Sequence, residues 1–536
     1  GIIIAAVLYQ LVFYPFYLSP LRLLPGPPLG PNLLIGRFGE ILNGEAGIPQ
    51  REWVKKYGKV VRVVGPLGIQ RLIFSGAEGL QKILVTNWIT NPRPTFMREV
   101  LGLVAGWGLL TVTGNRHKQM RKAMNPAFSI PNLNAQTDMY YDAIDGLLEI
   151  MRSRINEAEK TQGGEGRVEI MYEWMSKVTL DIISLTAFGY KSDSLHNPHN
   201  ELAEAYEELI SLQTGRNLAR FIAILQIPGV STFLGTEFAW RHRHIMGKLP
   251  LLANAAVLVD TMHRIKAVSA SILQQKLEEA EHAENNEDTA AKKDIMSLLV
   301  RARMADQKVQ KSEGRLGAPP YAMTDAEMMD QVLTFLGAGH ETTASGLAWT
   351  LWLLAKDPAS QQKLREEVTP LFKLSPDGIR KARLGYRELK DLEWLDCVVQ
   401  ESLRLYPPVP MTFRQASTTD YIDGVLVPKG TLYYIPIRVV NTLKDVWGED
   451  AEEFNPSRWL PENNKSGTPP STLTFLAGPH ACIGKTMAII EMKAVIAALV
   501  ANFDFAPSSV DQKPDPTAAV TMKPRDGMPL RVKKHI

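Results

Sequence analysis

The sequence predicts a mostly α-helical fold with a small β region. Apolar residues recur at helical spacing from residue 139 to about residue 311, and a second long helical pattern follows Thr324. Alternating segments typical of strands are few and short. The chain has 536 residues, 45% of them hydrophobic, and no break in composition divides it. We therefore expect one large domain built around one core.

Composition excludes several classes of protein. A formal net charge of +3, without an acidic or basic tail, gives no reason to expect a nucleic-acid partner. The two cysteines, Cys397 and Cys482, are too few for a disulfide framework, a four-cysteine zinc site or an iron–sulfur cluster on four cysteines. Cys397 has no second ligand at useful spacing and is predicted to pack in the core. The body of the protein is expected in a reducing compartment.

The N-terminal segment, residues 1–24, is nearly all apolar, with no charge before Arg22. A bilayer span needs about 20 such residues, so the segment predicts a membrane anchor, and because the chain opens on Gly1 we expect that anchor to be truncated. A cleaved signal peptide is the alternative, but its polar region and small-residue cleavage site are missing. Residues 25–31 form a Pro/Gly hinge, and basic residues after it predict that the remaining domain, residues 32–536, lies on the cytosolic side.

Strand signals appear first over residues 59–64 and 69–74, which predict a β-hairpin, and later over residues 421–427 and 431–437. The glycine-rich stretch over residues 96–114 predicts a loop between helices. This loop is either a mobile cover over a pocket or an ordinary surface loop.

The long helix after Thr324 is predicted to start at a capping box and to end before Pro358, about 50 Å later. Glycine inside a helix costs about 1 kcal/mol relative to alanine, and close approach to a planar cofactor is one reason for Gly339. Thr342 lies on the face that Ala338 and Gly339 leave open, and Glu341 beside it supplies a carboxylate, so the pair suits proton delivery. The alternative is a threonine bonded to its own i−4 carbonyl and a surface glutamate.

A second candidate site is the loop around Cys482, which ends at Gly484 just before a helix that begins near Lys485. The N–H groups at a helix start stabilise a thiolate, and a thiolate is the proximal ligand that favours O–O cleavage at haem iron. Gly478 and Gly484 are predicted to adopt positive φ and to let the backbone approach a flat ligand. The alternative is a buried structural thiol.

Phe475, Gly478, Cys482 and Gly484 stand at the spacing FxxGxxxCxG, which resembles the haem-binding loop of the cytochrome P450 superfamily. The family usually has a basic residue, most often Arg, two positions before the cysteine, and here it is His480. Five motifs in the expected order extend the resemblance over nearly the entire chain. The resemblance implies the cytochrome P450 fold, with haem b between the long central helix and the cysteine-ligand loop, and Cys482 as the iron ligand.

The resemblance also assigns roles to the central helix and to the stretch at residues 96–114. Residues 338–343 resemble the oxygen-activation motif of the family, which implies proton delivery by Glu341 and Thr342 and contact of Ala338 and Gly339 with the haem. For residues 96–114, the resemblance favours substrate contact.

Four basic residues are assigned to the haem propionates by the same resemblance. His117 and Arg121 stand four apart on one helix face, which by itself would be a solvated basic face. Arg414 follows a proline-terminated helix, and His480 lies in the cysteine loop. A guanidinium group suits a carboxylate because its planar fork matches the two oxygens.

Glu401 and Arg404 match the ExxR motif of the family, and Arg458 resembles the arginine that completes a buried three-residue network with them. Ser457 stands where the family usually has glutamate. Without the resemblance, an i, i+3 pair would be a surface salt bridge worth a few tenths of a kcal/mol. We expect the trio to fix the haem side of the fold without a catalytic role.

The function implied is a haem-thiolate monooxygenase that inserts one oxygen atom of O₂ into an apolar organic substrate by hydroxylation or epoxidation. Electrons would come from NADPH through a separate NADPH–cytochrome P450 reductase, with cytochrome b5 as an additional candidate, at the endoplasmic reticulum membrane. One rival is an enzyme of the same fold that rearranges or dehydrates without external oxygen, and another is a haem-binding sensor without turnover. The substrate class remains open among terpenoids, fatty acids, steroids and aromatic xenobiotics. The sequence of residues 446–454 resembles that of fungal members of the family.

Overall fold

The computed structural model confirms a mostly helical fold with small sheets. The residues that the structure describes are 1–30, 32, 34–163, 166–197, 199–212, 224, 227, 229–250, 252–283, 293–313, 321–463, 472–517 and 520–535. The α-helices described are Ile2–Leu8 (α1), Phe38–Asn43 (α2), Ile48–Tyr57 (α3), Ala77–Gln81 (α4), Thr95–Ala105 (α5), Gly114–Met124 (α6), Ile130–Gln136 (α7), Tyr141–Gln162 (α8), Met171–Phe188 (α9), Glu201–Ser211 (α10), Val230–Leu234 (α11), Glu237–Arg241 (α12), Arg243–Gly247 (α13), Ala253–Ala283 (α14), Ile295–Glu313 (α15), Asp325–Lys356 (α16), Pro358–Val368 (α17), Tyr386–Asp391 (α18), Glu393–Leu405 (α19), Ile437–Val440 (α20), Lys444–Trp447 (α21) and Lys485–Asn502 (α22).

Within the described ranges, four small sheets lie beside the helices. The strands are Val60–Val64 (β1), Gln70–Phe74 (β2), Arg167–Ile170 (β3), Lys373–Leu374 (β4), Arg380–Lys381 (β5), Thr412–Gln415 (β6), Asp420–Ile422 (β7), Val425–Val427 (β8), Leu432–Ile435 (β9), Phe503–Pro507 (β10) and Pro529–Lys534 (β11). The largest sheet has the order β1-β2-β9-β6, and β1 pairs antiparallel with β2, which confirms the predicted hairpin. Strand β6 places Arg414 opposite Tyr433 of β9, inside the fold.

The central helix α16 crosses the core and organises the helices around it. Its capping box forms as predicted, because the Thr324 side chain accepts from the Glu327 N–H while the Glu327 side chain accepts from the Thr324 N–H. The helix ends at Lys356, before Pro358. Apolar residues surround it on nearly all sides, as expected for a helix that lies inside a large core rather than on its surface.

The prediction of a loop over residues 96–114 is wrong for its first part, which forms helix α5. Gly102 lies within this helix, and the Trp107 indole occupies the space where a side chain at Gly102 would stand. Gly106 ends the helix at φ +73°. The loop that follows is fixed to α16, since the Leu109 N–H donates to Gln331 Oε1 at 3.1 Å.

The N-terminal segment forms three short helical pieces. Helix α1 continues into a π-helix, Tyr9–Leu18, and a 3₁₀ turn, Pro20–Leu23, follows. Arg62 Nη2 donates to the Pro15 carbonyl at 2.6 Å, which joins the segment to β1. Among the described residues, no helix combines the length and the apolar character needed to span a bilayer.

Candidate haem-thiolate site

The cysteine loop is shaped by its backbone. The Cys482 N–H donates to the Phe475 carbonyl at 2.8 Å and closes the loop before α22. Gly478 has φ +72° as predicted, and a Cβ there would lie 2.2 Å from the Leu84 carbonyl oxygen, so only glycine fits this crossing. The prediction for Gly484 is wrong, because its φ is −88°.

The Cys482 thiol is accessible at its surface but lies within dense protein. Burial raises the pKa of the thiol, while a hydrogen bond from the Gly484 N–H and the charges of Arg121 and Lys485 act in the opposite direction. The protein alone therefore favours the protonated thiol. A metal cation at the sulfur is the group that would reverse this preference, since a coordinated thiol loses its proton. The donor chemistry fits haem iron.

Basic side chains converge beside this loop. The imidazole rings of His117 and His480 lie 3.9 Å apart between centroids, and Arg93 Nη1 lies 3.4 Å from His480 Nδ1. Arg121 Nη1 bonds to the carbonyl of the residue before Cys482. The structure thus brings His117, Arg121 and His480 together, as the sequence predicts, and adds Arg93 to them.

This cationic cluster, defined as Arg93, His117, Arg121, Arg414 and His480, holds no carboxylate. Burial and the neighbouring arginines lower the pKa of His117 to about 4 and that of His480 well below its ordinary value. Burial lowers the pKa of Arg93 to about 10 and that of Arg414 strongly. Among the described residues, the titratable groups that act on these four are arginines and imidazoles, while the Cys482 thiol acts on Arg121.

Two atoms of the cluster, His117 Nδ1 and Arg414 Nη2, are buried and have no hydrogen-bond partner in the part of the chain that the structure describes. Buried polar atoms are nearly always paired, so both atoms point to a ligand with hydrogen-bonding oxygens. Positive charge without a protein anion points to the same conclusion. The two propionate groups of haem fit this cluster in charge and in hydrogen-bonding character.

Sequence reasoning missed Arg93 and Trp88. Arg93 stands between two prolines in an irregular segment, where nothing distinguishes it from a solvated surface arginine. The Trp88 ring lies 5.4 Å from His480 and 6.0 Å from His117, centroid to centroid. Both residues reach the site through folding of the chain, and neither stands in a recognisable motif.

On α16, Glu341 and Thr342 have different partners. Thr342 Oγ1 donates to the Ala338 carbonyl at 2.7 Å, which is the local bond that a mid-helix threonine commonly forms. Glu341 is buried, with 8% of its surface exposed, and its Oε1 accepts a hydrogen bond from Thr521 Oγ1. The glutamate is therefore not a surface residue, and its carboxylate is held by a segment remote in sequence.

Gly339 has a structural reason that the sequence did not indicate. A Cβ at this position would lie 2.6 Å from Ile183 Cγ1 on α9. Thr179 of α9 also donates from Oγ1 to the His340 carbonyl at 3.1 Å. The glycine therefore permits close packing of α9 on α16, and contact of Ala338 and Gly339 with haem stays a prediction.

Glu401, Arg404 and Arg458 meet in a buried network. Arg404 donates to both carboxylate oxygens of Glu401 at 2.8 Å, and Arg458 Nε donates to Glu401 Oε1 at 3.0 Å. The side chains of Glu401 and Arg404 are 0% exposed. Trp459 Nε1 and the Asn455 N–H also donate to Glu401. The network ties α19 to residues 441–459, so the pair is not the exposed salt bridge that the spacing alone would favour.

A thiol in a glycine-shaped loop, a cationic cluster without a protein anion and a helical core around α16 define a haem-thiolate protein. The family model for Cytochrome P450 matches residues 25–530. The chain therefore belongs to the cytochrome P450 family.

Curated relatives agree with this assignment. Cytochrome P450 monooxygenase 205 of Postia placenta is 33% identical over 507 residues, covering 91% of this chain and 86% of the relative. Cytochrome P450 monooxygenase sphH of Aspergillus fumigatus is 30% identical over 539 residues, covering 98% and 91%. Ganoderic acid synthetase CYP5150L8 of Ganoderma lucidum is 28% identical over 532 residues, covering 94% and 91%. The protein is an oxidoreductase of the monooxygenase class, with haem iron on a cysteine thiolate, a redox partner and a small-molecule substrate.

Proposed function

We propose that this protein binds haem b through Cys482 and inserts one atom of O₂ into an apolar organic substrate, by hydroxylation or epoxidation. The observation that carries the proposal is the buried carboxylate of Glu341 directly before Thr342 on α16. A monooxygenase consumes protons as it activates O₂, whereas rearrangement or dehydration without external oxygen has no need of them. A buried acid beside a hydroxyl is what a proton supply requires.

The residues of the site have distinct roles under this proposal. Cys482 would ligate the iron, and thiolate-ligated haem supplies the activation of O₂. The cationic cluster would hold the two propionates and so fix the orientation of the ring. Thr342 would accept and donate hydrogen bonds on the face of α16, and Glu341 would resupply its proton.

The electron donor we propose is NADPH–cytochrome P450 reductase, with cytochrome b5 as a second candidate. A cavity of about 500 Å³ opens beside the cysteine loop, and Lys118, Arg121 and Lys122 are among its lining residues. Positive charge at this face would attract an acidic partner and accelerate its docking. Both donors would therefore approach on the Cys482 side.

We further propose attachment to the endoplasmic reticulum membrane through residues 1–24, with the catalytic domain in the cytosol. Support comes from the apolar sequence and from exposed side chains such as Phe13, Tyr17 and Leu23, which are 53%, 68% and 83% exposed. Extraction of membranes at high pH tests this proposal. A chain lacking residues 1–24 should lose its membrane association, and equal retention of both chains would contradict the proposal.

The absorbance spectrum of the reduced protein under carbon monoxide tests the site, because the haem band is strongly red-shifted only when a thiolate binds the iron. Turnover with the reductase then tests the reaction, and the amount of NADPH consumed is compared with the amount of product formed. Thr342→Ala should keep the shifted band but release more hydrogen peroxide for each NADPH consumed. Unchanged coupling in this variant would remove the proton-delivery role, and an unshifted band in the wild type would remove the thiolate.

A further inference from the structure

The C-terminal segment at residues 521–523 is fixed against the central helix. Ser345 Oγ and Trp349 Nε1 on α16 both donate to the Met522 carbonyl at 2.8 Å. The Met522 N–H donates to the Pro408 carbonyl at 2.7 Å. Thr521 and Met522 are 4% and 0% exposed. The backbone of the segment is therefore held in place independently of the acid on α16.

From this fixed backbone, Thr521 Oγ1 donates a hydrogen bond to Glu341 Oε1. The two residues are 180 positions apart in sequence. A hydroxyl that donates to a carboxylate both positions it and stabilises its charge. The carboxylate of Glu341 is thus held by the segment at residues 521–523, while the Thr342 hydroxyl bonds to the Ala338 carbonyl.

Several titratable groups surround Glu341. Tyr172 of α9, Tyr206 of α10 and His340 of α16 interact with its charge, and burial raises the pKa of both phenols and lowers that of the imidazole, so all three are uncharged near neutral pH. Lys523 also interacts with Glu341, and it interacts in turn with Glu207 of α10.

Lys523 is half-buried, and burial lowers its pKa while the two carboxylates act in the opposite direction. A hydrogen bond reaches the Glu341 carboxylate from Thr521.

We propose that Thr521 is a positioning residue for the proton supply to the site: from the fixed segment at residues 521–523, its hydroxyl holds the Glu341 carboxylate in place. Glu341 would hand over the proton, and Thr521 would act through it. The inference rests on the proposed function, because it positions the acid that the monooxygenase reaction would use.

Two variants test the positioning role in the haem-loaded protein. Thr521→Val removes the hydroxyl and keeps the side-chain shape, while Thr521→Ser restores the hydroxyl. The matched control is Thr517→Val, because Thr517 is 3% exposed and bonds to the Lys523 carbonyl rather than to the acid.

The first measurement is the coupling of NADPH consumption to product formation, with the reductase present and with dodecanoic acid and naphthalene as probe substrates. We expect about a 10-fold loss of coupling for Thr521→Val, consistent with the loss of one charge-assisted hydrogen bond, and near-normal coupling for Thr521→Ser and Thr517→Val. Turnover driven by added hydrogen peroxide, which needs no proton supply of this kind, should be unchanged in all three. Wild-type coupling in Thr521→Val would overturn the positioning role.

A second measurement needs no turnover. The infrared carboxyl band of Glu341, identified by its loss in Glu341→Gln, should shift in Thr521→Val and return toward its wild-type frequency in Thr521→Ser. An unshifted band would refute the positioning role of Thr521. If neither probe is oxidised by the wild type, the proposed function fails for these substrates, and the infrared band alone then decides whether Thr521 holds the acid.

Discussion

The buried Glu401 network makes a quantitative prediction about stability. In Glu401→Gln the side chain keeps its size but loses its negative charge. Five hydrogen bonds end on the Glu401 carboxylate, from Arg404 twice, from Arg458, from Trp459 and from the Asn455 N–H. An amide offers one oxygen, and its NH₂ group would face guanidinium donors. The substitution therefore leaves donors unpaired and a fully buried positive charge without its partner.

Removal of one partner from a buried ion pair costs about 3–5 kcal/mol. The full cost of a buried, unpaired charge applies to Arg404, because it is 0% exposed and its remaining partners are carbonyl oxygens, such as those of Asn441 and Ala451, which carry no charge. Arg458 retains Asp450, at 2.8 Å, so its own loss is smaller. We expect Glu401→Gln to lower the free energy of unfolding by about 4 kcal/mol.

Denaturant unfolding followed by tryptophan fluorescence measures this change, and the haem absorbance reports whether the cofactor is retained. Glu393→Gln is the matched control, since Glu393 is an exposed residue at the start of the same helix α19. Surface substitutions of this kind usually stay within about 0.5 kcal/mol. A Glu401→Gln protein as stable as its control would refute the argument that the ionic network holds α19 to residues 441–459.

Three further predictions concern the cysteine loop and the cationic cluster. Arg93→Leu should speed haem loss about 10-fold or more, and the exposed Lys122→Met should not, as haem transfer to an acceptor protein would show. The folded pKa of His117 lies below its unfolded value, so the stability that its neutral form contributes is present above pH 6.5 and is lost as pH falls toward 4. The free energy of unfolding of the haem-free protein should therefore decrease over this range of pH. The decrease should be less steep in His117→Gln and with haem bound. Gly478→Ala should destabilise the fold by at least about 2 kcal/mol, measured by thermal unfolding, while Gly484→Ala, with negative φ and no Cβ contact under 4.0 Å, should not.

The sequence was sufficient to predict the elements whose stability depends on residues close to one another in the chain. The capping box at Thr324, the helix that begins at Lys485 and the hairpin of β1 and β2 all rest on neighbours within a few positions in the chain. The sequence predicted positive φ for Gly478 and Gly484 alike, and the prediction holds for Gly478 but fails for Gly484, which lies at the start of α22 with φ −88°.

The features that the sequence did not reveal depend on residues far apart in the chain. Gly339 is explained by its contact with Ile183 on another helix, and Gly102 by the Trp107 indole, which occupies the space where a side chain in α5 would stand. Arg93 joins His480 across 387 positions, and Thr521 reaches Glu341 across 180. No periodicity or spacing within a single segment encodes such contacts, so they become visible only when the fold brings the segments together.

The charges of the cationic cluster link haem binding to folding. Arg93, Arg121 and Arg414 bring three positive charges to one side of the cysteine loop, and Arg414 is 1% exposed. Two propionates carry two negative charges, while the charge of a Cys482 thiolate would be offset by ferric iron, so the propionates would balance two of the three guanidinium groups. Without these anions the folded state contains mutual repulsion and unpaired donors, whereas the unfolded chain exposes the same groups to water. Haem bound by these residues would therefore stabilise the folded protein through its carboxylates as well as through the cysteine thiolate, and both contributions would act on the same loop.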